Sequence, residues 1–108
     1  MKQGVIKDEY ATRYYVDDKL HRVDGPAAEY TNGSKGWWIN GQLHRQDGPA
    51  IENADGSKSW FINGYLHRED GPAVEDVDGY KEWWVNDEQI NCSSQEEFEK
   101  IMKLRLFW

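Results

Sequence analysis

Cysteine, proline and positive charge are all scarce in this chain, and each scarcity removes a class of answers. Cys92 is the one cysteine, so no intramolecular disulfide forms, which fits a reducing compartment. Thirteen basic residues stand against 20 acidic ones, a net charge of −7. That balance argues against direct binding to nucleic acid phosphates and against adhesion to an anionic membrane, and it permits a protein partner with a basic surface. Apolar runs are only a few residues long, so no segment spans a bilayer. The start, "MKQGVIKDEY", lacks an apolar signal core, and the expected location is the cytoplasm. A length of 108 residues leaves room for one domain, residues 1–108.

What the chain has in plenty is aromatic side chains and a repeat. His21, His44 and His67 lie 23 residues apart. Arg22, Arg45 and Arg68 keep the same step, as do Asp24, Asp47 and Asp70, and Glu29, Glu52 and Glu75. Every histidine and every proline belongs to the phrase "HRxDGPA". A fixed period of this size marks a repeat architecture. A partial unit occupies residues 1–22, three units fill 23–91, and 92–108 breaks the period.

Each unit carries two turn signals. Asn32-Gly33, Asp55-Gly56 and Asp78-Gly79 form one set, Asn40-Gly41 and Asn63-Gly64 the other. Such pairs suit two-residue type I′ turns, with both central residues at φ > 0. The runs between them, "SKGWWI", "SKSWFI" and "YKEWWV", are too short for helices and suit strands. The predicted fold is all-β: an antiparallel meander of seven or eight strands in hairpin repeats, with one C-terminal capping helix. A two-residue turn at Asp55-Gly56 sets Ile51 opposite Trp60, Ala50 opposite Phe61 and Glu52 opposite Ser59. Alternation then predicts a core face of Trp37, Ile39, Trp60, Ile62, Trp83 and Val85 with Ala28, Ile51 and Val74. The opposite face carries Trp38, Phe61 and Trp84 beside Ala27, Ala50 and Ala73.

The pattern "WxxNGxxHxxxGxxxxxxxGxxxW" resembles the MORN repeat, a β-hairpin unit stacked into an elongated twisted sheet. The closer resemblance is to its variant "NGxxHRxDGPAxExxxGxxxW", found in bacterial, large-virus and tailed-phage proteins. It spans residues 13–87 and is most specific in "HRxDGPA" and the "NG" turns. The chain departs from the common form where Arg22, Arg45 and Arg68 replace Gly, and where Asn86-Asp87 replaces Asn-Gly. The resemblance implies a non-catalytic module for protein or membrane contacts, and the acidic balance here disfavours the membrane. It also suggests a small effector that inhibits a host protein, in the host cytoplasm if a phage encodes it.

The tail "NCSSQEEFEKIMKLRLFW" predicts one helix from about 94 to 105. Ser94 with Glu97 makes a capping box, and Ser93 with Glu96 is an equally legal frame. The helix would cap the open end of the sheet. Its alternative role is dimerisation or partner binding, with Phe107 and Trp108 as a bulky terminus.

The chemistry reads as structural. Neighbouring strands are ~4.8 Å apart, so histidines two strands apart step by roughly 10 Å and cannot share a metal. A catalytic triad needs unlike groups converging on one point, whereas "HRxD" is copied unit by unit. The reading is no enzyme, no metal and no cofactor. Asp-Gly-Pro is turn chemistry. Arg22, Arg45 and Arg68 are expected to pair with Asp24, Asp47 and Asp70, or with Glu29, Glu52 and Glu75, pinning a repeated corner. His21, His44 and His67 each add a ring and one hydrogen bond. The expected partner-binding surface is the aromatic ladder Tyr15, Trp38, Phe61 and Trp84, rimmed by Glu52, Glu75 and Glu82, since aromatics are favoured interface anchors. The alternatives are a nucleotide- or sugar-binding protein, with tryptophan stacking on the ligand, and an assembly component that uses its aromatics in self-association.

Overall fold

The two Asx-Gly turns of each unit fold differently, and that difference sets the architecture. At Asn40-Gly41 both residues take positive φ (51° and 80°), and at Asn63-Gly64 likewise (51° and 82°), as type I′ requires. Asp17-Asp18 and Asn86-Asp87 adopt the same turn without glycine, each at 50° and 67°. At the other set only the glycine is left-handed: Gly33 and Gly56 at 98°, Gly79 at 94°. The preceding Asn32, Asp55 and Asp78 stay out of that region because their side chains accept a backbone N–H two residues on, from Ser34, Ser57 and Tyr80 at 2.9–3.0 Å. The N–H of Gly56 closes on the carbonyl of Asn53 at 2.9 Å, and Asn53 N–H on the carbonyl of Ser57 at 2.9 Å. These are three-residue loops, a type I turn followed by a left-handed glycine.

The computed structural model describes residues 1–105, which form fourteen short strands and one helix. A first hairpin joins β1 (Gly4–Lys7) to β2 (Ala11–Val16), and β3 (Lys19–Leu20) pairs with the end of β2. The first full unit holds β4 (Ala28–Tyr30), β5 (Lys35–Gly36), β6 (Trp38–Ile39) and β7 (Gln42–Leu43). The second holds β8 (Ile51–Glu52), β9 (Lys58–Ser59), β10 (Phe61–Ile62) and β11 (Tyr65–Leu66). The third holds β12 (Val74–Glu75), β13 (Lys81–Val85) and β14 (Glu88–Ile90), and α1 (Gln95–Arg105) follows. One antiparallel sheet runs β1-β2-β4-β5-β8-β9-β12-β13-β14, while β6–β7 and β10–β11 form side hairpins. The side hairpins are stitched in series: Gly41, Gly64 and Asp87 each donate an N–H to Leu20, Leu43 and Leu66 at 2.8 Å. The all-β meander with a single helix is therefore the fold.

The strands outnumber the expected seven or eight because the three HRxDGPA corners break the chain, and Trp37 and Trp60 each divide one strand more. Trp37 gives its N–H to Ala50 and takes one from His44; Trp60 does the same with Ala73 and His67 (2.8–3.1 Å). Each tryptophan is the point where the chain leaves the main ladder for a side hairpin.

The longer loop shifts the register by one residue from the expected one. Ile51 lies opposite Ser59, and Glu52 opposite Lys58. A one-residue slip moves every side chain to the other face. One face of the main ladder is thus Thr12, Glu29, Lys35, Glu52, Lys58, Glu75 and Lys81, an alternation of opposite charges. Such cross-strand pairs each contribute roughly 0.2–1 kcal/mol. The other face is Arg13, Ala28, Gly36, Ile51, Ser59, Val74 and Glu82. The two are called the charged and the apolar face below.

The sheet is a single layer, with extents of 46 × 31 × 18 Å and a radius of gyration of 15.7 Å. A compact chain of this length would have about 13 Å. The deeply buried side chains are small: Ala11, Ala27, Ala28, Ala50 and Ala73 are at most 1 % exposed. Phe98 of α1 is the large side chain with no exposure among the described residues.

Candidate functional site

On the charged face, the arginine of each corner is the centre of its unit. The Arg45 guanidinium lies 3.8 Å from the centroid of the Trp37 ring. It donates to Asp47 (3.1 Å), to the Pro49 carbonyl (3.1 Å) and to Glu52 (2.8 Å). Arg22 repeats this over Tyr14 at 4.0 Å with Asp24, Pro26 and Glu29. Arg68 repeats it over Trp60 at 3.9 Å with Asp70 and Pro72, and Glu75 stands off at 3.7 Å. The expected charge pairs are present, with the aspartate and the glutamate both engaged.

The corner explains its glycine by proximity. Gly25, Gly48 and Gly71 have no left-handed φ. A Cβ on Gly48 would meet Arg45 Cζ at 2.9 Å, and one on Gly71 would meet Arg68 Cζ at 2.8 Å. The guanidinium is held between an indole and a bare Cα, so the glycine serves a close approach rather than a strained backbone.

The histidines stitch units together. Nδ1 of His21, His44 and His67 accepts the backbone N–H of Asn40, Asn63 and Asn86 at 2.9–3.0 Å. An Nδ1 that accepts carries no proton, so the ring proton sits on Nε2. Each imidazole thus spends its Nδ1 lone pair on the turn of the following hairpin.

The predicted core face is not a covered core. Trp37, Ile39, Trp60 and Ile62 are half-buried; arginines roof the two tryptophans, and all four residues border open hollows of about 810 and 740 Å³ between successive corners. Among the described residues, only the last unit is sealed. Trp83, Val85 and Ile90 form a cluster with Phe98, and Cys92, Ile101 and Met102 pack against it. Burial, and then Glu97 nearby, raises the pKa of the Cys92 thiol above its ordinary value. The Trp83 and Phe98 centroids are 6.3 Å apart, and Trp83 Nε1–H donates to Gln95 at 2.9 Å. Ser94 Oγ accepts the N–H of Glu97 at 3.1 Å, which selects the Ser94 frame of the two legal caps. The Glu97 carboxylate reaches one residue past the cap and accepts the Ser93 N–H at 3.3 Å.

The apolar face carries the predicted ladder, in altered company. Tyr15, Trp38, Phe61 and Trp84 continue the strands of Arg13, Gly36, Ser59 and Glu82 at two-residue steps, so they share that face. Their neighbours are Ala28, Ile51 and Val74, which the expected register placed on the other side. Cross-strand pairing adds Leu20, Leu43 and Leu66 opposite Tyr15, Trp38 and Phe61. All four ladder aromatics are half-buried. The Trp38 ring covers Gly36 so closely that a Cβ there would sit 2.1 Å from it. Beside Trp38 is a hollow of about 330 Å³ bounded by Tyr30, Gly36 and Ile51.

The expected acidic rim divides between the faces. Glu82 is on the apolar face, where it accepts from Trp84 Nε1 (3.0 Å) and from the Tyr80 hydroxyl (2.7 Å). The second bond holds the Tyr80 pKa above its ordinary value. Glu52 and Glu75 lie on the charged face, opposite lysines and beside Arg45 and Arg68, and do not rim the ladder. Phe107 and Trp108 lie outside the described residues. The alternating Glu/Lys pattern was the sequence signal for the true register: only a three-residue loop sets Glu29, Glu52 and Glu75 opposite Lys35, Lys58 and Lys81.

Among the described residues, no helix is long and apolar enough to cross a membrane. No family model, curated protein or solved structure matches this chain.

Proposed function

We propose that this protein is a non-catalytic interaction module of MORN-like hairpin repeats that binds another protein through its apolar face. The observation that carries the reading is a one-layer sheet whose apolar face holds Tyr15, Trp38, Phe61 and Trp84 with Leu20, Leu43 and Leu66, with no described element laid across it. Half-buried aromatic and aliphatic side chains gathered on one side of a sheet offer a surface for an interaction partner. The repeated polar groups support a non-catalytic role. Each corner arginine is engaged through Nε and Nη1 by carboxylate and carbonyl oxygens and lies over an aromatic ring, and each histidine Nδ1 accepts a backbone N–H. The net charge of −7 favours a partner with basic residues around an apolar centre, which speeds association at low salt. The resemblance to phage and bacterial repeat proteins favours a host protein as that partner.

The test is capture from lysate by the intact chain and by two variants. Phe61→Asp is expected to lose the partner and keep its fold, since Phe61 is a half-buried side chain on an uncovered face. Lys58→Glu, on the charged face, is expected to retain it. Loss with Lys58→Glu and retention with Phe61→Asp would move the site to the other face. A second reading, a small planar ligand, is favoured by the hollow beside Trp38. It predicts quenching of tryptophan fluorescence by nucleotides or sugars, abolished by Gly36→Val.

A further inference from the structure

The two ends of the array are unlike. The last unit carries α1 across its charged face, whereas the first ends in β1, whose four residues are all exposed. Val5 is 60 % and Ile6 39 % exposed. β1 is the terminal strand of the sheet, and among the described residues nothing pairs with its outer edge.

The hydrogen-bond phase of β1 shows which groups point outward. Asp8 N–H bonds to the Ala11 carbonyl at 3.0 Å, so Asp8 and Ala11 form a bonded pair. Bonded and non-bonded pairs alternate in an antiparallel ladder. Ile6–Arg13 and Gly4–Tyr15 are then bonded, and Lys7–Thr12 and Val5–Tyr14 are not. Tyr14 confirms the phase, because its N–H goes to Ala27 and its carbonyl accepts from His21, both away from β1. The N–H and C=O of Val5 and Lys7 therefore face the free edge.

We propose that β1 pairs antiparallel with β1 of a second copy, about a two-fold axis at Ile6, to make one continuous sheet. This register is self-complementary. It sets Val5 opposite Lys7 of the second copy, and each such pair exchanges both of its outward bonds, so every outward group on the edge is satisfied. It sets Ile6 opposite Ile6 of the second copy as a non-bonded pair, the kind with the closest side chains. It also brings Lys2 of each copy to the Glu9–Tyr10 turn of the other, so a basic segment meets an acidic one. Ile6 shares a face with Arg13 and Ala28, so the two apolar faces join across the axis.

The experiment is sedimentation of the full chain over a range of concentrations, with cysteine crosslinking in a Cys92→Ser background. The intact chain is expected to be a reversible dimer. Lys7→Pro removes one outward donor per copy and leaves the bonded β1–β2 pairs alone; its dissociation constant is expected to rise by at least about tenfold. Ile6→Cys is expected to form an intermolecular disulfide, because non-bonded pairs bring Cα atoms to about 4.5 Å. Val5→Cys is expected to stay reduced, since the two Val5 positions stand more than about 7 Å apart. A monomer at every concentration, open-ended oligomers, a dimer indifferent to Lys7→Pro, or Val5→Cys crosslinking as fast as Ile6→Cys would each overturn the proposal.

Discussion

The second and third units repeat one aromatic position, Trp60 and Trp83, under different covers. Trp60 lies beneath the Arg68 guanidinium and is half-buried. Trp83 lies beneath Phe98 and is 6 % exposed. The cause is in the chain. One period after His67 and Arg68 stand Ile90 and Asn91, so the last unit has no arginine for its indole. The helix supplies the missing cover with Phe98 and satisfies the indole N–H with Gln95. A repeat array needs a different last unit because no following unit exists to complete it. Here the completion exchanges an ionic roof, open to solvent, for an apolar one that excludes it. The inner units are held by hydrogen bonds and a cation over a ring, and the last by burial.

That contrast is broken most severely at the helix. Phe98→Ala is expected to cost about 3–5 kcal/mol, the range for truncating a buried aromatic. Trp60→Ala should cost less, since its ring is already half in solvent. Urea midpoints of the two variants decide it, and a larger loss at Trp60 would mean that the inner roofs are the true core.

A smaller effect sharpens the account of the roof. Arg45→Ala removes the cation above Trp37 and bonds to two carboxylates and a carbonyl. The expected cost is about 1–3 kcal/mol. Asp47 is largely exposed, which keeps its share small. Gly48→Ala should cost about 1 kcal/mol in the intact chain and almost nothing when Arg45 is already alanine, because the clash is with the guanidinium. Additive effects in that double-mutant cycle would show that Gly48 has some other role.

The smallest effect concerns the loops that fix the register. The backbone N–H of Ser57, then its hydroxyl, holds the Asp55 pKa below its ordinary value. A carboxylate with a depressed folded-state pKa contributes stability that is present above about pH 4 and is lost as pH falls through the depressed value. Asp55→Asn should therefore flatten part of the acid limb of a stability–pH curve. An unchanged acid limb would count against the bond as a fixed element of the loop.

The corner and the tail were legible in the residues because their interactions are local. Arg45 reaches Asp47, Pro49 and Glu52 within seven positions, and the Ser94 cap bonds three residues ahead. The register was not legible from the turns alone. Asp55-Gly56 and Asn63-Gly64 carry the same kind of signal, yet one closes a three-residue loop and the other a two-residue one. Choosing between them required weighing Glu52 against Lys58 across the strands as well as the turn residues.

The sequence by itself determined the period, the hairpins, the helix and the pairing of each arginine with its carboxylates, since all of these follow from spacing and turn chemistry within one unit. Only the tertiary structure decided which aromatics lie under arginine, which lie under the helix, and which stay on an uncovered face. Those outcomes depend on the parity of the register and on what the next unit, or its absence, brings over each ring. A difference of one residue in a loop inverts them all.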